Sequence, residues 1–260
     1  MAAHHREGSG LRRIGYPIGV RRVPVLARAA VTPRMVRLTL GGEALEGFHS
    51  YQADDHVKIV FSDPDGTQRD PVANADLELD WPRPLPTTRK YTVRRFDADT
   101  RELDLDFVLH EGGVASTWVK DVAVGDEVTV AGPPGAKAFA HTYEHYVLAV
   151  DATALPAAAR WIEEAPDDVS AQLVVETNDA CEHAYPVVAR PGVDVTWIAR
   201  ADRRSCLART VQELVPPSGR TFLFAAGEAE DIRPLRAWSR GRIDSLITGY
   251  WKRGVPGLEE

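Results

Sequence analysis

The densest group of chemically capable residues in this chain is Arg89-Lys90-Tyr91-Thr92. A guanidinium forks onto a pyrophosphate, a phenol ring lies along a ribityl chain or an isoalloxazine face, and a neighbouring hydroxyl hydrogen-bonds a ring nitrogen. One residue answers to each part of a flavin adenine dinucleotide. The competing reading is a surface arginine, a half-buried tyrosine and a solvent-facing threonine. Strand parity bears on the choice, because residues i and i+2 share a face: Arg89 and Tyr91 stand together and Thr92 opposite. A flavin contact from Thr92 then needs a bulge, or the Thr92 backbone N–H. Downstream, Asp106-Phe107-Val108-Leu109-His110 reads as a strand that passes through Glu111-Gly112-Gly113 into a helix start at Val114-Ala115-Ser116-Thr117-Trp118. Backbone N–H groups at such a junction suit phosphate oxygens.

The elements that position these residues follow from periodicity. Short, β-branched, largely alternating segments occur at Arg21 to Ala29, Met35 to Leu40, His56 to Phe61, Arg89 to Phe96, Leu103 to Leu109 and Glu127 to Ala131. Six such strands predict an antiparallel barrel. Leu103, Leu105, Phe107 and Leu109 take its core face, which sets Asp106 and His110 on the other. The proline-rich segment from Asp70 to Thr88 is too irregular for a strand and reads as a long excursion ahead of Arg89. Beyond Gly132-Pro133-Pro134-Gly135, a continuous apolar strand at His145 to Val150 and further strands at Gln172 to Glu176, Val193 to Ala199 and Thr221 to Ala226 alternate with helical stretches. These stretches are Ala154 to Ala165, Ser205 to Leu214 and Ala229 to Ser239. That alternation predicts an α/β half with a parallel sheet covered on both faces, its ligands at the carboxyl ends of the strands. The expected domains are 16–142, an FAD-binding β-barrel, and 143–260, an NAD(P)H-binding α/β domain.

The chain resembles the siderophore-interacting proteins, FAD-dependent ferric-siderophore reductases of the ferredoxin-NADP reductase-like flavoproteins. The resemblance is carried by His56-Val57-Lys58, Arg89 to Thr92, Asp106 to His110 with the loop to Trp118, Gly132 to Gly135, Asp151-Ala152-Thr153-Ala154-Leu155-Pro156-Ala157, Ala226-Gly227-Glu228 and Gly249-Tyr250-Trp251, in that order. It implies flavin contacts from Arg89, Tyr91, Thr92, Asp106, Val108, His110, Gly113, Ala115, Ser116, Asp151, Thr153 and Ala154, with Tyr250 and Trp251 close to the flavin. Val114 stands where the family usually has a proline. Gly227 and Glu228 are implied on the nicotinamide side, and Lys58, Lys252 and Arg253 at the opening for an anionic ferric chelate. No Gly-x-Gly-x-x-Gly is present, so the dinucleotide site is not of the Rossmann fingerprint type.

Several of these positions have plain structural readings as well. Thr153 suits a helix N-cap, Asp151 a solvated strand end, Lys58 a snorkelling surface lysine, and Tyr250 and Trp251 ordinary packing. Arg200, Arg203 and Arg204 suit either a 2′-phosphate, which favours NADPH over NADH with Arg200 as the contact, or a solvated helix start.

Composition narrows the function classes. With 260 residues the chain is long enough for two ordinary domains. Cys181 and Cys206 are the only cysteines, which excludes a disulfide framework and a four-cysteine metal cluster, so electrons need an organic carrier. No apolar run approaches the roughly 20 residues of a membrane span, and the first residues lack a signal-peptide core; a cytoplasmic monomer is expected. A net charge of −7 with scattered basic residues argues against nucleic acid. Residues 1 to about 15, including His4 and His5, read as a loose polar tail. The chemistry expected is hydride uptake from nicotinamide and one-electron delivery to Fe(III), which loosens a chelator of hard oxygen donors, with no protein ligand to iron and no dominant general acid or base. Two alternatives are a flavoprotein serving another electron partner such as ferredoxin, and a siderophore-binding module without catalysis.

Overall fold

The computed structural model describes residues 1–200, 204–215 and 218–257. It divides into two compact units, Arg13–Ala136 on the one hand and Met1–Arg12 with Lys137–Glu260 on the other. The elements before the barrel are a helix, α1 (Ala2–Glu7), and strand β1 (Leu11–Gly15). The barrel unit is built from β2 (Val20–Thr32), β3 (Met35–Gly41), β4 (His56–Phe61), a two-residue pair β5 (Val72–Ala73) and β6 (Leu79–Asp80), β7 (Thr87–Asp97), β8 (Glu102–Val108), helix α2 (Val114–Asp121) and β9 (Glu127–Ala131). Six of the strands close in the order β2-β3-β8-β7-β4-β9, every neighbouring pair antiparallel.

The period-two pattern explains the closure. Leu38 and Leu40 on β3, Val57 and Ile59 on β4, Val93 on β7 and Leu103 and Leu105 on β8 are all fully buried in one apolar cluster. Helix α2 plugs one end, since Ala115, Val119 and Val122 join that cluster and Trp118 packs edge-on to Phe61. On the outer face of β3 and β8 the alternate residues form a polar ladder. Arg37 lies opposite Asp106, and Thr39 opposite Asp104. The excursion 70–88, expected to hold no strand, does contain the β5–β6 pair, which is too short to leave a periodic signal.

The α/β unit carries β11 (His145–Asp151), α3 (Leu155–Glu164), β12 (Ser170–Thr177), β13 (Val193–Ala199), α4 (Leu207–Glu213), β14 (Thr221–Glu228), α5 (Ala229–Ser239) and β15 (Asp244–Trp251). Its sheet runs β13-β12-β11-β14-β15, parallel throughout. Every residue of β11 and β14 is buried, as expected of central strands covered on both faces. Val147 and Ala149 face Leu207, Val211, Ile232 and Leu235 of α4 and α5, whereas Tyr146 faces Trp161 of α3 at 4.5 Å between ring centroids. Tyr250 and Trp251 lie on β15, a strand that the pattern did not announce. A further strand, β10 (Gly135–Phe139), pairs with β1.

The amino-terminal residues are not the loose tail expected. His4 is buried, the His5 ring stacks on His141 at 4.3 Å with an 11° tilt, and the His141 backbone N–H donates to the His5 carbonyl at 2.8 Å. Burial, reinforced by His5 and His4, lowers the His141 pKa from 6.5 to about 4. An unfolded chain takes up that proton near 6.5 and the folded one only near 4, so the contribution to stability is complete above 6.5 and is lost as pH falls towards 4. Amide-exchange protection of residues 2–7 should therefore drop as pH is lowered across that window, and His141→Gln should flatten the dependence.

Candidate functional site

Strand directions gather the flavin-cradle residues. In the antiparallel order β8-β7-β4-β9, the ends of β8 and β4 and the starts of β7 and β9 share one end of the barrel. Arg89, near the start of β7, therefore lies at the same end as the Gly112–Gly113 turn that follows β8. Strand β7 pairs with β4 without interruption from Thr87 to Thr92, whereas it ladders with β8 only from Val93 to Asp97, with a register shift between Val93 and Arg95. The edge of residues 87–92 turned away from β4 thus has no strand laddered to it among the described residues. Between residues 87–92 of β7 and the end of β8 the ladder hydrogen bonds stop.

Within this frame Arg89 is half-buried and donates to the Thr88 carbonyl at 2.7 Å. Tyr91 shares its face and packs on Phe107, with centroids 4.0 Å apart. Burial raises the Tyr91 phenol well above its ordinary pKa, so the ring stays a neutral hydrogen-bonding group. Thr92 is buried on the opposite face, directly across from His56. The register contains no bulge between Arg89 and Thr92. Of the two ways Thr92 was expected to reach a flavin, only its backbone, on the open edge, is compatible with this parity.

The glycine turn is built for backbone donors. Gly112 has φ +72°, and a Cβ on Gly113 would fall 2.3 Å from the His110 ring. Gly113 is the N-cap of α2 and no side chain caps that end, so first-turn N–H groups of α2 are left as donors. Ser116, expected at the phosphate, instead accepts from the His110 N–H at 3.0 Å and donates to the Val108 carbonyl at 3.2 Å. It ties the helix to the end of β8. Ala115 packs into the barrel core. Asp106 also departs from expectation: the Arg37 guanidinium grips it with Nε–Oδ1 at 2.6 Å and Nη2–Oδ2 at 2.8 Å, and its side chain is fully buried. Sequence spacing offers no sign of this pair, because Arg37 and Asp106 meet only through the β3–β8 register. A cavity of about 480 Å³ opens beside the turn, lined by Phe61, Ser62, Gly112, Gly113, Val114 and Trp118 among others. That volume is in the range of small-molecule sites. The donor set, the glycine turn and the unladdered strand edge fit a dinucleotide flavin.

In the α/β unit, the residues at the carboxyl ends of the strands are engaged mainly with one another. The Asp151 carboxylate accepts from the Thr153 N–H at 2.9 Å, the Thr153 hydroxyl at 2.6 Å, the Glu228 N–H at 2.9 Å and the Trp251 indole N–H at 2.8 Å. Burial raises the pKa of this carboxyl, against the pull of these donors. Thr153 is thus no N-cap; that position belongs to Ala154, which is fully buried. Gly227 has φ +148°, and a Cβ there would meet the Asp151 carboxylate at 2.6 Å. Glu228 caps α5, accepting from the Glu230 and Asp231 N–H groups at 2.8 Å each, and also accepts from the Arg253 N–H at 3.0 Å.

Arg200 does not present itself to a 2′-phosphate. Its guanidinium is 10% exposed and lies 2.7 Å from Glu176 and 2.8 Å from Asp231. Glu176 also accepts from the Cys206 and Leu207 N–H groups, so it both starts α4 and neutralises Arg200. Arg203 lies outside the described residues. Lys252 pairs with Glu230 at 3.0 Å, Arg253 pairs with Asp231, and the Lys58 ammonium sits 4.9 Å over the Trp81 ring, a partner from the 70–88 excursion that spacing did not suggest. Removing one partner of a buried pair leaves the other without compensation. Arg200→Ala should therefore lower unfolding stability by roughly 3–5 kcal/mol in denaturant titrations while leaving the NADPH-to-NADH preference unchanged. A changed preference at constant stability would return Arg200 to the 2′-phosphate.

Two family models cover most of the chain: a siderophore-interacting FAD-binding domain over residues 24–137 and a siderophore-interacting protein domain over residues 143–254. The NADPH-dependent ferric-chelate reductase of Escherichia coli is 32% identical over 86% of this chain and 88% of its own. Ferric vibriobactin reductase ViuB of Vibrio cholerae is 30% identical over 86% of each. The crystal structure of a siderophore utilization protein from T. fusca superposes with a TM-score of 0.89 at 38% identity, over 96% of this chain and 98% of that one. With the barrel, the glycine turn and the parallel sheet in place, these likenesses show that the chain belongs to the siderophore-interacting protein family.

Proposed function

We propose that this protein is an FAD-dependent ferric-siderophore reductase that draws electrons from NADPH or NADH. The observation that carries the reading is the unladdered edge left where β7 departs from β8, with Arg89 and the uncapped start of α2 at the same barrel end. Arg89 and the backbone N–H groups of Gly113, Ala115 and Ser116 would hold the pyrophosphate, and the cavity beside Phe61 and Trp118 the adenylate. Tyr91 and the Thr92 backbone would line the flavin. Asp106, Val108 and His110 act at one remove: Asp106 fixes Arg37, the Val108 carbonyl anchors Ser116, and the His110 ring covers Gly113.

In the second unit, Gly227 and Glu228 would meet the nicotinamide nucleotide, Gly227 through its backbone, and Asp151 orients Trp251 through the indole N–H. Lys252 and Arg253 would serve the chelate. FAD, when bound, accepts a hydride's two electrons and passes them on singly. One NAD(P)H then reduces two ferric chelates, leaving NAD(P)⁺ and a proton, and the softer Fe(II) is released from its hard oxygen donors. Among the described residues no helix is long and apolar enough to cross a membrane, and we assign the activity to the cytoplasm, where nicotinamide is supplied.

An anaerobic absorbance experiment tests this. The purified protein should show a flavin spectrum that bleaches with NADPH and recovers when a ferric siderophore is added, as a trap reports Fe(II). Bleaching without recovery would reject the substrate, and failure to take up FAD would reject the cofactor. Charged hydrogen bonds of the kind assigned to Arg89 contribute about 1.5–3 kcal/mol. Arg89→Ala should weaken FAD binding by about 10- to 100-fold, measured by flavin fluorescence.

A further inference from the structure

The basic residues expected to draw an anionic chelate are already held by carboxylates of their own unit. Lys252 Nζ is 3.0 Å from Glu230 Oε1, and Glu230 is also 2.7 Å from Arg233. The Arg253 guanidinium pairs with Asp231, lies 3.7 Å from Glu228, and has its own backbone N–H on Glu228. Asp231 and Glu228 are 12% and 1% exposed, and Asp231 also serves Arg200. The Lys252 hydrogen bond holds the Glu230 carboxyl below its usual range, and the Asp231 hydrogen bond raises the Arg253 pKa, so the groups are charged and matched.

We propose that the acidic first turn of α5, through Glu230, Asp231 and Glu228, neutralises Lys252 and Arg253 and selects ferric chelates of low net charge, such as tris-hydroxamates, over polyanionic tris-catecholates. This rests on the reductase reading and narrows its substrate class. A trianionic chelate that engages Arg253 competes with Asp231 and Glu228 for it; drawing it away leaves Asp231 to share Arg200 with Glu176 and Glu228 with backbone donors alone, which is costly. A neutral tris-hydroxamate offers acceptor oxygens without requiring that separation. Nor does the long-range field help an anion, since the chain carries −7.

Gallium chelates test the selection without electron transfer, which removes the difference in reduction potential between the two ligand classes. The FAD-loaded protein is titrated with gallium tris-acetohydroxamate and with gallium tris-catecholate, following flavin fluorescence. The hydroxamate should bind more tightly. Glu230→Gln, on the exposed side of the network, removes one competing charge and should raise the ratio of catecholate to hydroxamate affinity about two- to five-fold, the range of an exposed ion pair. Adding Lys252→Gln to that variant should abolish the gain. Tighter catecholate binding by the unaltered protein, or a ratio that Glu230→Gln leaves where it was, would overturn the proposal while iron reduction still upheld the enzyme. If neither gallium chelate binds and neither iron chelate is reduced by flavin that NADPH has bleached, the selectivity falls together with the reductase reading.

Discussion

A strand edge can ladder with one neighbour at a time, and β7 changes its neighbours along its length. From Val93 to Asp97 it is bonded to β8, which closes the barrel around Val93, Leu103 and Leu105. From Thr87 to Thr92 it is held by β4 alone. The shift between Val93 and Arg95 is the hinge of this division, as bulges are where a strand bends and its pairing ends. Closed in one half, the barrel has a core tight enough to fix β7; open in the other, it offers backbone groups that a planar, hydrogen-bonding ligand can satisfy. Arg89 and Tyr91 stand on the half held by β4 alone, with the Tyr91 ring packed on Phe107.

The second unit faces an opposite constraint. Parallel strands end together, and here their ends bring Asp151, Glu176 and Glu228 into a small volume from which water is largely excluded. Buried carboxylates are tolerated only with donors or cations against them. Thr153, Trp251 and backbone N–H groups satisfy Asp151, Arg200 satisfies Glu176, and the first turn of α5 with Arg253 satisfies Glu228. Gly227 is then fixed by sterics, since any Cβ would strike the Asp151 carboxylate. The network leaves mainly backbone and small side chains to meet a nucleotide. It also welds the carboxyl end of β15, and with it Trp251, to the ends of β11 and β14.

What could be read from the sequence divides along the same line. The barrel strands and the alternation of β11 to α5 were legible because each element carries its own period: Leu103, Leu105 and Phe107 point inward as alternation requires. Strand β15 was not, because a short polar-flanked segment ending in two aromatics has no period to distinguish it from a tail. Helix α1 depends on contacts with His141, far away in the chain. Within the candidate site, local geometry was legible: the glycine turn forms where the glycines stand, and Arg-x-Tyr-Thr keeps its spacing on a regular strand. Partners brought from distant strands were not. Asp106 and Arg200 carry the right charge for a ligand, yet their charges are met by Arg37, Glu176 and Asp231, and only register reveals that.

With Lys252 and Arg253 at the chelate opening, as proposed above, the balance of charge around them bears on turnover as well as on recognition. Reducing Fe(III) to Fe(II) adds one negative charge to whatever chelate is bound, so a neutral substrate becomes an anionic product. A mouth with surplus positive charge would hold that product more tightly than the substrate and slow its departure. With Glu230, Asp231 and Glu228 set against the two cations, the added charge finds no uncompensated partner in this cluster. On that proposal, the ion pairs that forgo electrostatic capture of the substrate favour release of the reduced chelate.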